Sequence, residues 1–237
     1  MKVSVVVPAF NEERLLAGSL AAIRAAMAAL GESELIVCDN NSTDRTADIA
    51  RSAGATVVFE PVNQIARARN RGAAAANGDW LLFVDADSYP DPALFSEMNS
   101  AVESGHCLGG GATVTLATND PFIRAWVAAW NALSRSARWA AGSFIFCEAA
   151  AFRELGGFSE TLYAGEEIDF SRRLKRLARA HGRSFVILHR HPLRTSDRKA
   201  RLYTKREHFI FMLKTLLTGG RNLRNRGACH VWYDGRR

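Results

Sequence analysis

Four short apolar runs alternate with stretches of helical spacing over residues 1–84, and this alternation constrains the fold more than any other feature of the chain. Lys2 to Val7 is too uniformly apolar for a strand with one wet face. Leu16, Leu20, Ile23, Met27 and Leu30 then recur at helical spacing until Gly31. Glu34 to Cys38, Thr56 to Phe59 and Trp80 to Val84 repeat the strand pattern, separated by helical stretches over about 44–53 and 63–76 that stop at Gly54 and Gly78. Strands of this kind are buried on both faces. The sequence therefore predicts a parallel sheet with right-handed crossovers, and ligands bound beyond the carboxyl ends of its strands.

Further along, the spacing predicts a helix from Asp91-Pro92 to about Glu103 and a strand from Gly109-Gly110-Gly111 through Leu116. A helix carrying Trp126, Trp130 and Trp139 follows, its rings filling the core or stacking a ligand. Ser143 to Cys147 reads as a strand, Glu166 to Ala180 as a helix and Ser184 to Leu188 as a last strand. No repeat or linker interrupts the pattern. The expected fold class is α/β, a mostly parallel central sheet flanked by helices over residues 1–190, with a basic C-terminal extension over 191–237.

Charge sharpens that division. The net charge is +7, but residues 1–171 hold 12 Lys and Arg against 21 Asp and Glu, and residues 172–237 hold 19 against 3. A basic segment of this strength points to an anionic partner: a nucleotide phosphate, an acidic membrane surface or nucleic acid. Nucleic acid ranks last, because no recognised binding motif is present. Tyr203 to Leu217 has an apolar stripe with basic flanks, which suits an interfacial helix at an anionic membrane surface or a helix packed on its own domain. The N-terminus reads as a strand, not a signal peptide, and there is no apolar run of spanning length, so membrane contact is expected to be peripheral. Cys38, Cys107, Cys147 and Cys229 lie far apart without a CxxC pair, which favours a reducing, cytoplasmic setting.

Three strand ends terminate in polar clusters: Pro8 to Glu12, Asp39 to Asp44, and Asp85-Ala86-Asp87. Asn11, Ser42 and Thr43 read equally as helix caps, and the acids as first-turn residues favoured by the helix dipole. Asp39 sits before the cap, where a carboxylate can accept from a nucleobase N–H. Two carboxylates two residues apart, at Asp85 and Asp87, suit one hard divalent cation, or a division of labour between metal and ribose. A fourth cluster, Glu166-Glu167-Ile168-Asp169, opens a helix; Glu166 and Asp169 should share a face with Glu167 turned about 100° away, and one face can hold a general base.

These blocks, in this order, resemble the family 2 glycosyltransferases, inverting enzymes of GT-A fold that use nucleotide-sugars. The resemblance rests on VVVPAFNEE (Val5 to Glu13), CDNNSTDRT (Cys38 to Thr46), ARARNRGAAAANGDWLLFVDADS (Ala66 to Ser88) and FRELGGFSETLYAGEEIDFSRRL (Phe152 to Leu174). It implies that Pro8, Phe10 and Glu12 line the base and ribose, that Asp39 holds the base, and that Asp85-Ala86-Asp87 takes ribose and metal-bound diphosphate. The glutamate pair then supplies the catalytic base, Glu167 ahead of Glu166, with Asp169 beside them. A Mn²⁺ or Mg²⁺ cofactor is implied, held by Asp87 and Asp85 and completed by a late histidine, His191 or His189. A UDP-sugar donor is favoured; the acceptor is a hydroxyl on a glycan or lipid-linked molecule.

Two departures stand out. The family's usual Glu-Asp pair is Glu166-Glu167 here, one methylene longer. Asn63-Gln64-Ile65 replaces a common glycine, so among Arg67, Arg69 and Arg71 it is Arg69 that is expected at the nucleotide. The basic segment Arg194 to Lys199 is a candidate to close over the diphosphate. A nucleotidyltransferase of similar architecture is the rival enzyme, though it needs a basic Gly-rich loop where this chain has the acidic Pro8 to Glu12. A basic module binding membrane or nucleic acid is the non-enzymatic rival.

Overall fold

The computed structural model describes residues 1–198, 207, 210, 213–215, 217–229 and 233. Among them, eight strands form one sheet: β1 (Lys2–Ala9), β2 (Glu32–Asp39), β3 (Thr56–Phe59), β4 (Trp80–Val84), β5 (Ser88–Tyr89), β6 (Cys107–Leu116), β7 (Phe144–Glu148) and β8 (Ser184–Thr195). Their spatial order is β3-β2-β1-β4-β7-β6-β8-β5. The helices are α1 (Leu16–Met27), α2 (Thr46–Ser52), α3 (Ile65–Ala74), α4 (Pro92–Glu103), α5 (Pro121–Ala137), α6 (Ala149–Glu154) and α7 (Glu166–Ala180).

The first half of the sheet is parallel, as its apolar runs predict: β1 pairs with β2 and β4, and β2 with β3. Beyond β4 the sheet is mixed. β7 runs antiparallel to both β4 and β6, β8 parallel to β6, and β5 antiparallel to β8. Both faces of the sheet are covered. Val5, Val7, Leu82 and Val84 bury into one apolar cluster, and Val6, Leu81 and Phe83 into another on the opposite face. The second cluster contains Phe83, Phe152, Phe158 and Phe170, with neighbouring ring centroids 4.6–5.7 Å apart.

The Gly109–Gly111 run has a packing cause. A Cβ at Gly110 would meet the Val186 carbonyl and the Phe146 ring, so only glycine lets β6 lie between its two neighbours. Gly72 does the same for α3, whose backbone rests on the Val6 side chain. That contact sets the height of α3 above the sheet.

β8 is longer than its apolar stretch suggests and runs to Thr195, paired with β6 to its end. The boundary read after residue 190 thus falls inside a strand. Further on, the Tyr163 N–H donates to the Leu223 carbonyl at 2.7 Å, and Cys229 is buried, so this part of the extension packs on the sheet domain. Tyr203 to Leu217 lies for the most part outside the described residues. Of the tryptophans on the α5 segment, Trp130 packs against the core, Trp126 is 55% exposed, and Trp139 falls beyond the end of the helix. No helix among the described residues is long and apolar enough to cross a membrane.

Candidate active site

The parallel register brings the predicted strand ends to one rim. Ala9 lies opposite Asp39, and β4 runs beside β1 so that Asp85-Ala86-Asp87 leaves the sheet at the same edge. Pro8, Phe10, Glu12, Asp85, Ala86 and Asp87 line one cleft there. Asn11, Ser42 and Thr43 are not helix caps: the N-cap positions of α1 and α2 have no side-chain cap. They sew two loops together instead. Asn11 accepts from the Thr43 N–H at 2.8 Å, the Asn11 N–H donates to Ser42 Oγ at 2.9 Å, and the Glu12 N–H donates to Thr46 Oγ1 at 2.8 Å. Asn11 adopts φ 51° to make this crossing. The loop carrying Glu12 is thereby fixed against the loop carrying Asp39.

Asp39 is buried at the end of β2, and one of its oxygens accepts from the Ser42 N–H at 3.1 Å. The neighbouring Asn40 lines the cleft itself. Its amide donates to the carbonyls of Glu60 and Val62 and accepts from the Gln64 N–H, so it shapes the loop entering α3. Arg67 is committed away from the cleft, to Glu60 at 3.1 Å and Glu160 at 2.8 Å.

Arg69 occupies the centre. It is 1% exposed and donates to Glu166 Oε1 at 2.7 Å, Asp85 Oδ1 at 3.0 Å and the Gly142 carbonyl at 2.8 Å. Its guanidinium carbon lies 5.2 Å from the centre of the Phe158 ring. Pairing with two carboxylates offsets the cost of burying the guanidinium. Arg69 was expected at the nucleotide; its described contacts are with Glu166, Asp85, the Gly142 carbonyl and the Phe158 ring.

α7 separates the two glutamates. Glu166 turns inward to Arg69 and Glu167 does not, while both line the compartment that also contains Gly142, Ser143, Asp85 and Asp87. Burial pushes the Glu167 carboxyl up to about 8, helped by the negative charge of Glu166 and opposed by Arg69. A carboxyl in that range suits a base working near neutrality. Asp169 does not join them. It accepts from Arg173 Nε at 2.7 Å, and Arg173 goes on to the carbonyls of Leu155 and Gly157, so Asp169 anchors α7 to the segment after α6. The three-residue spacing that placed Asp169 beside Glu166 is overridden by that ion pair.

His191 and His189 are also elsewhere. Both lie exposed on β8, at positions that precede its end at Thr195. The chain returns to the acidic pair only afterwards: the Ser196 N–H donates to the Asp87 carbonyl at 3.0 Å. Arg198 then donates to both Glu12 oxygens, at 2.7 and 2.6 Å, and stands 3.5 Å from Asp87. A cation therefore sits between the Glu12 and Asp87 carboxylates, and it comes from the segment expected to close over a diphosphate. Tyr233, which no spacing singled out, also lines this cleft, with its hydroxyl accepting from the Ile65 N–H at 3.4 Å.

Comparison with known proteins agrees with this geometry. A family model described as Glycosyl transferase family 2 matches residues 4–154. An uncharacterized glycosyltransferase of Mycobacterium tuberculosis (strain H37Rv) is 40% identical over 105 residues, 43% of this chain and 45% of the relative. The match thus spans less than half the length of that relative. Among solved structures, S. aureus TarS 1-349 in complex with UDP-GlcNAc superposes with a TM-score of 0.67 at 18% identity, covering 98% of this chain and 69% of that one. Mannosyltransferase PcManGT from Pyrobaculum calidifontis, in complex with GDP-Man and Mn²⁺, gives 0.64 at 18% identity, covering 96% and 64%. The mixed sheet with helices on both faces is the GT-A fold. Because the family match takes in the first two acidic rim segments and the Asp85-Ala86-Asp87 turn on that fold, and spans well over half of the chain, this chain belongs to glycosyl transferase family 2.

Proposed function

We propose that this enzyme moves a sugar, with inversion, from a nucleoside diphosphate-sugar to an acceptor hydroxyl, with UDP-sugars favoured. One observation carries the reading. The buried guanidinium of Arg69 ties Asp85 to Glu166, so the Asp85-Ala86-Asp87 turn and the glutamate pair line one compartment. Pro8, Phe10, Glu12 and Asp39 are assigned to the nucleoside, with Asn40 added, and Asp85 and Ala86 to the ribose side. Glu167 is the base. In its ionised form it takes the proton of the acceptor hydroxyl as that oxygen attacks the anomeric carbon. The bond from that carbon to the diphosphate breaks, and the diphosphate leaves with its electron pair.

The donor set suits a hard divalent cation. Asp85 and Asp87 offer carboxylate oxygens, and no cluster of three ligating side chains occurs among the described residues. That pattern fits Mg²⁺ or Mn²⁺ held by one or two carboxylates, with phosphate and water completing the shell. Asp85 is held by the buried Arg69 at 3.0 Å and Asp87 by Arg198 at the longer distance of 3.5 Å, so Asp87 is assigned as the principal ligand. When bound, the ion neutralises charge on the leaving diphosphate. The two solved structures, with UDP-GlcNAc bound in one and GDP-Man with Mn²⁺ in the other, support this assignment by likeness of fold.

Thermal unfolding with a nucleotide panel tests it. UDP is expected to raise the melting temperature only with Mn²⁺ or Mg²⁺ present, and Asp87→Ala to remove the effect. Metal-independent binding, or none across the panel, overturns the reading.

A further inference from the structure

Tyr233 lies outside the residues that carry the family match, yet it lines the nucleotide cleft together with Phe10, Glu12 and Asp87. Its place is fixed by packing on the chain that presents the glutamate pair. Ahead of it come two short 3-10 turns, Arg221–Arg224 and Arg226–Cys229. The Leu223 carbonyl accepts from the Tyr163 N–H at 2.7 Å, and the Leu223 side chain lies against Gly165, the residue before α7. The Tyr233 ring has two partners of its own. Tyr163 meets it edge-on with ring centroids 5.6 Å apart, and the Arg226 guanidinium carbon lies 5.6 Å from its centre.

The Tyr233 hydroxyl accepts from the N–H of Ile65, the first residue of α3, at 3.4 Å, which is long for a hydrogen bond. Among the described residues the phenol's own proton has no acceptor. Burial and the negative charge of Glu166 raise the phenol above its ordinary range, so it stays protonated and is a hydrogen-bond donor, not a base.

Ile65, Asp85 and Asp87 line both the nucleotide cleft and the compartment that contains Glu167. The two spaces meet at these three residues, and the Tyr233 hydroxyl stands at that seam, on the Ile65 side. In the donor reading proposed above, on which this inference rests, the diphosphate lies at Asp87 and the attacking oxygen at Glu167. The anomeric carbon must then lie between them, and its sugar ring crosses the seam. We infer that Tyr233 is a donor-sugar residue: its hydroxyl donates a hydrogen bond to the sugar being transferred and helps set which sugar the enzyme accepts. A site built to hydrogen-bond a substrate hydroxyl rejects a sugar that presents none there.

Calorimetric titration of the full chain with Mn²⁺ present tests the inference, comparing free UDP and GDP with UDP-glucose, UDP-N-acetylglucosamine and GDP-mannose. Tyr233→Phe keeps the ring between Tyr163 and Arg226 and removes only the hydroxyl. The variant should bind the free nucleotide within about twofold of wild type and the best-bound nucleotide-sugar about three- to tenfold more weakly, the loss of one neutral hydrogen bond. Equal weakening of nucleotide and nucleotide-sugar overturns the inference and leaves the hydroxyl as a cap on α3. Unchanged affinity for both overturns it as well, with the donor reading intact. A wild-type enzyme that binds nothing in the panel defeats the donor reading itself, and the role of Tyr233 falls with it.

Discussion

Arg69 donates to Glu166 at 2.7 Å with both side chains almost fully buried. The other guanidinium nitrogen reaches Asp85 at 3.0 Å, so removal of Arg69 leaves two carboxylates facing each other without their cation. Breaking a buried pair from one side typically costs about 3–5 kcal/mol. Arg69→Ala should lower unfolding free energy by about that much in a urea titration, and Glu166→Gln, which keeps an acceptor in place, by less. An Arg69→Ala protein within about 1 kcal/mol of wild type would show that the pair does not organise the site.

Arg198 predicts a competition. Its guanidinium holds both oxygens of Glu12 and lies near Asp87, where a divalent cation is proposed to bind. Arg198→Gln removes that rival cation, so Mn²⁺ alone should bind several-fold more tightly by isothermal calorimetry. Unchanged or weaker Mn²⁺ binding would show that Arg198 does not compete for the position.

The base role proposed for Glu167 predicts a pH dependence. Its carboxyl is raised by burial and by Glu166 to about 8 from the usual 4.5, so the ionised base accumulates only as pH rises through that range. The transfer rate should climb with pH and level off above about 8, and Glu167→Gln should lose about 10²–10⁴ of the rate with UDP binding intact. The same shift has a stability side. A carboxyl raised in the fold favours the folded state while protonated, and that contribution is lost as pH rises from 4.5 through about 8. Wild type should lose stability over this window relative to the Gln variant; a constant difference between the two would contradict the assignment.

Gly72 links packing to the site. A methyl there meets the Val6 side chain, and α3 must rise, carrying Arg69 with it. Gly72→Ala should cost about 1–3 kcal/mol by urea titration and weaken metal-dependent UDP binding. A variant with wild-type stability would mean that α3 shifts without resistance.

The parallel half of the fold was readable because its strands are buried on both faces and each helix ends at a glycine, as after Leu30 and Ala53. The reversal at β7 was not. Strand direction there depends on which rim the connection through α5 leaves from, and periodicity carries no information about that. The acidic rim was legible for the same reason: parallel strand ends must converge, so the clusters Pro8 to Glu12 and Asp85-Ala86-Asp87 were placed on one rim by position, while the roles given to Glu12, Asp85 and Asp87 came from the family resemblance. Asp169 and His191 illustrate the limit. Helical spacing cannot foresee that Arg173 claims Asp169, and an apolar run that stops at Leu188 hides a strand that continues to Thr195 and leaves His191 exposed on it. Arg198 was visible only as part of a basic segment, and Tyr233 had no local signal.

The most direct measurement is a nucleotide-sugar hydrolysis panel with Mn²⁺, because slow donor hydrolysis reports the donor without the acceptor. A UDP-sugar should release UDP with wild-type enzyme and Mn²⁺, and release should vanish with chelator and with Asp87→Ala. Release that persists in Asp87→Ala without metal, or no release from any nucleotide-sugar, would contradict the assignment of this cleft to metal-assisted glycosyl transfer.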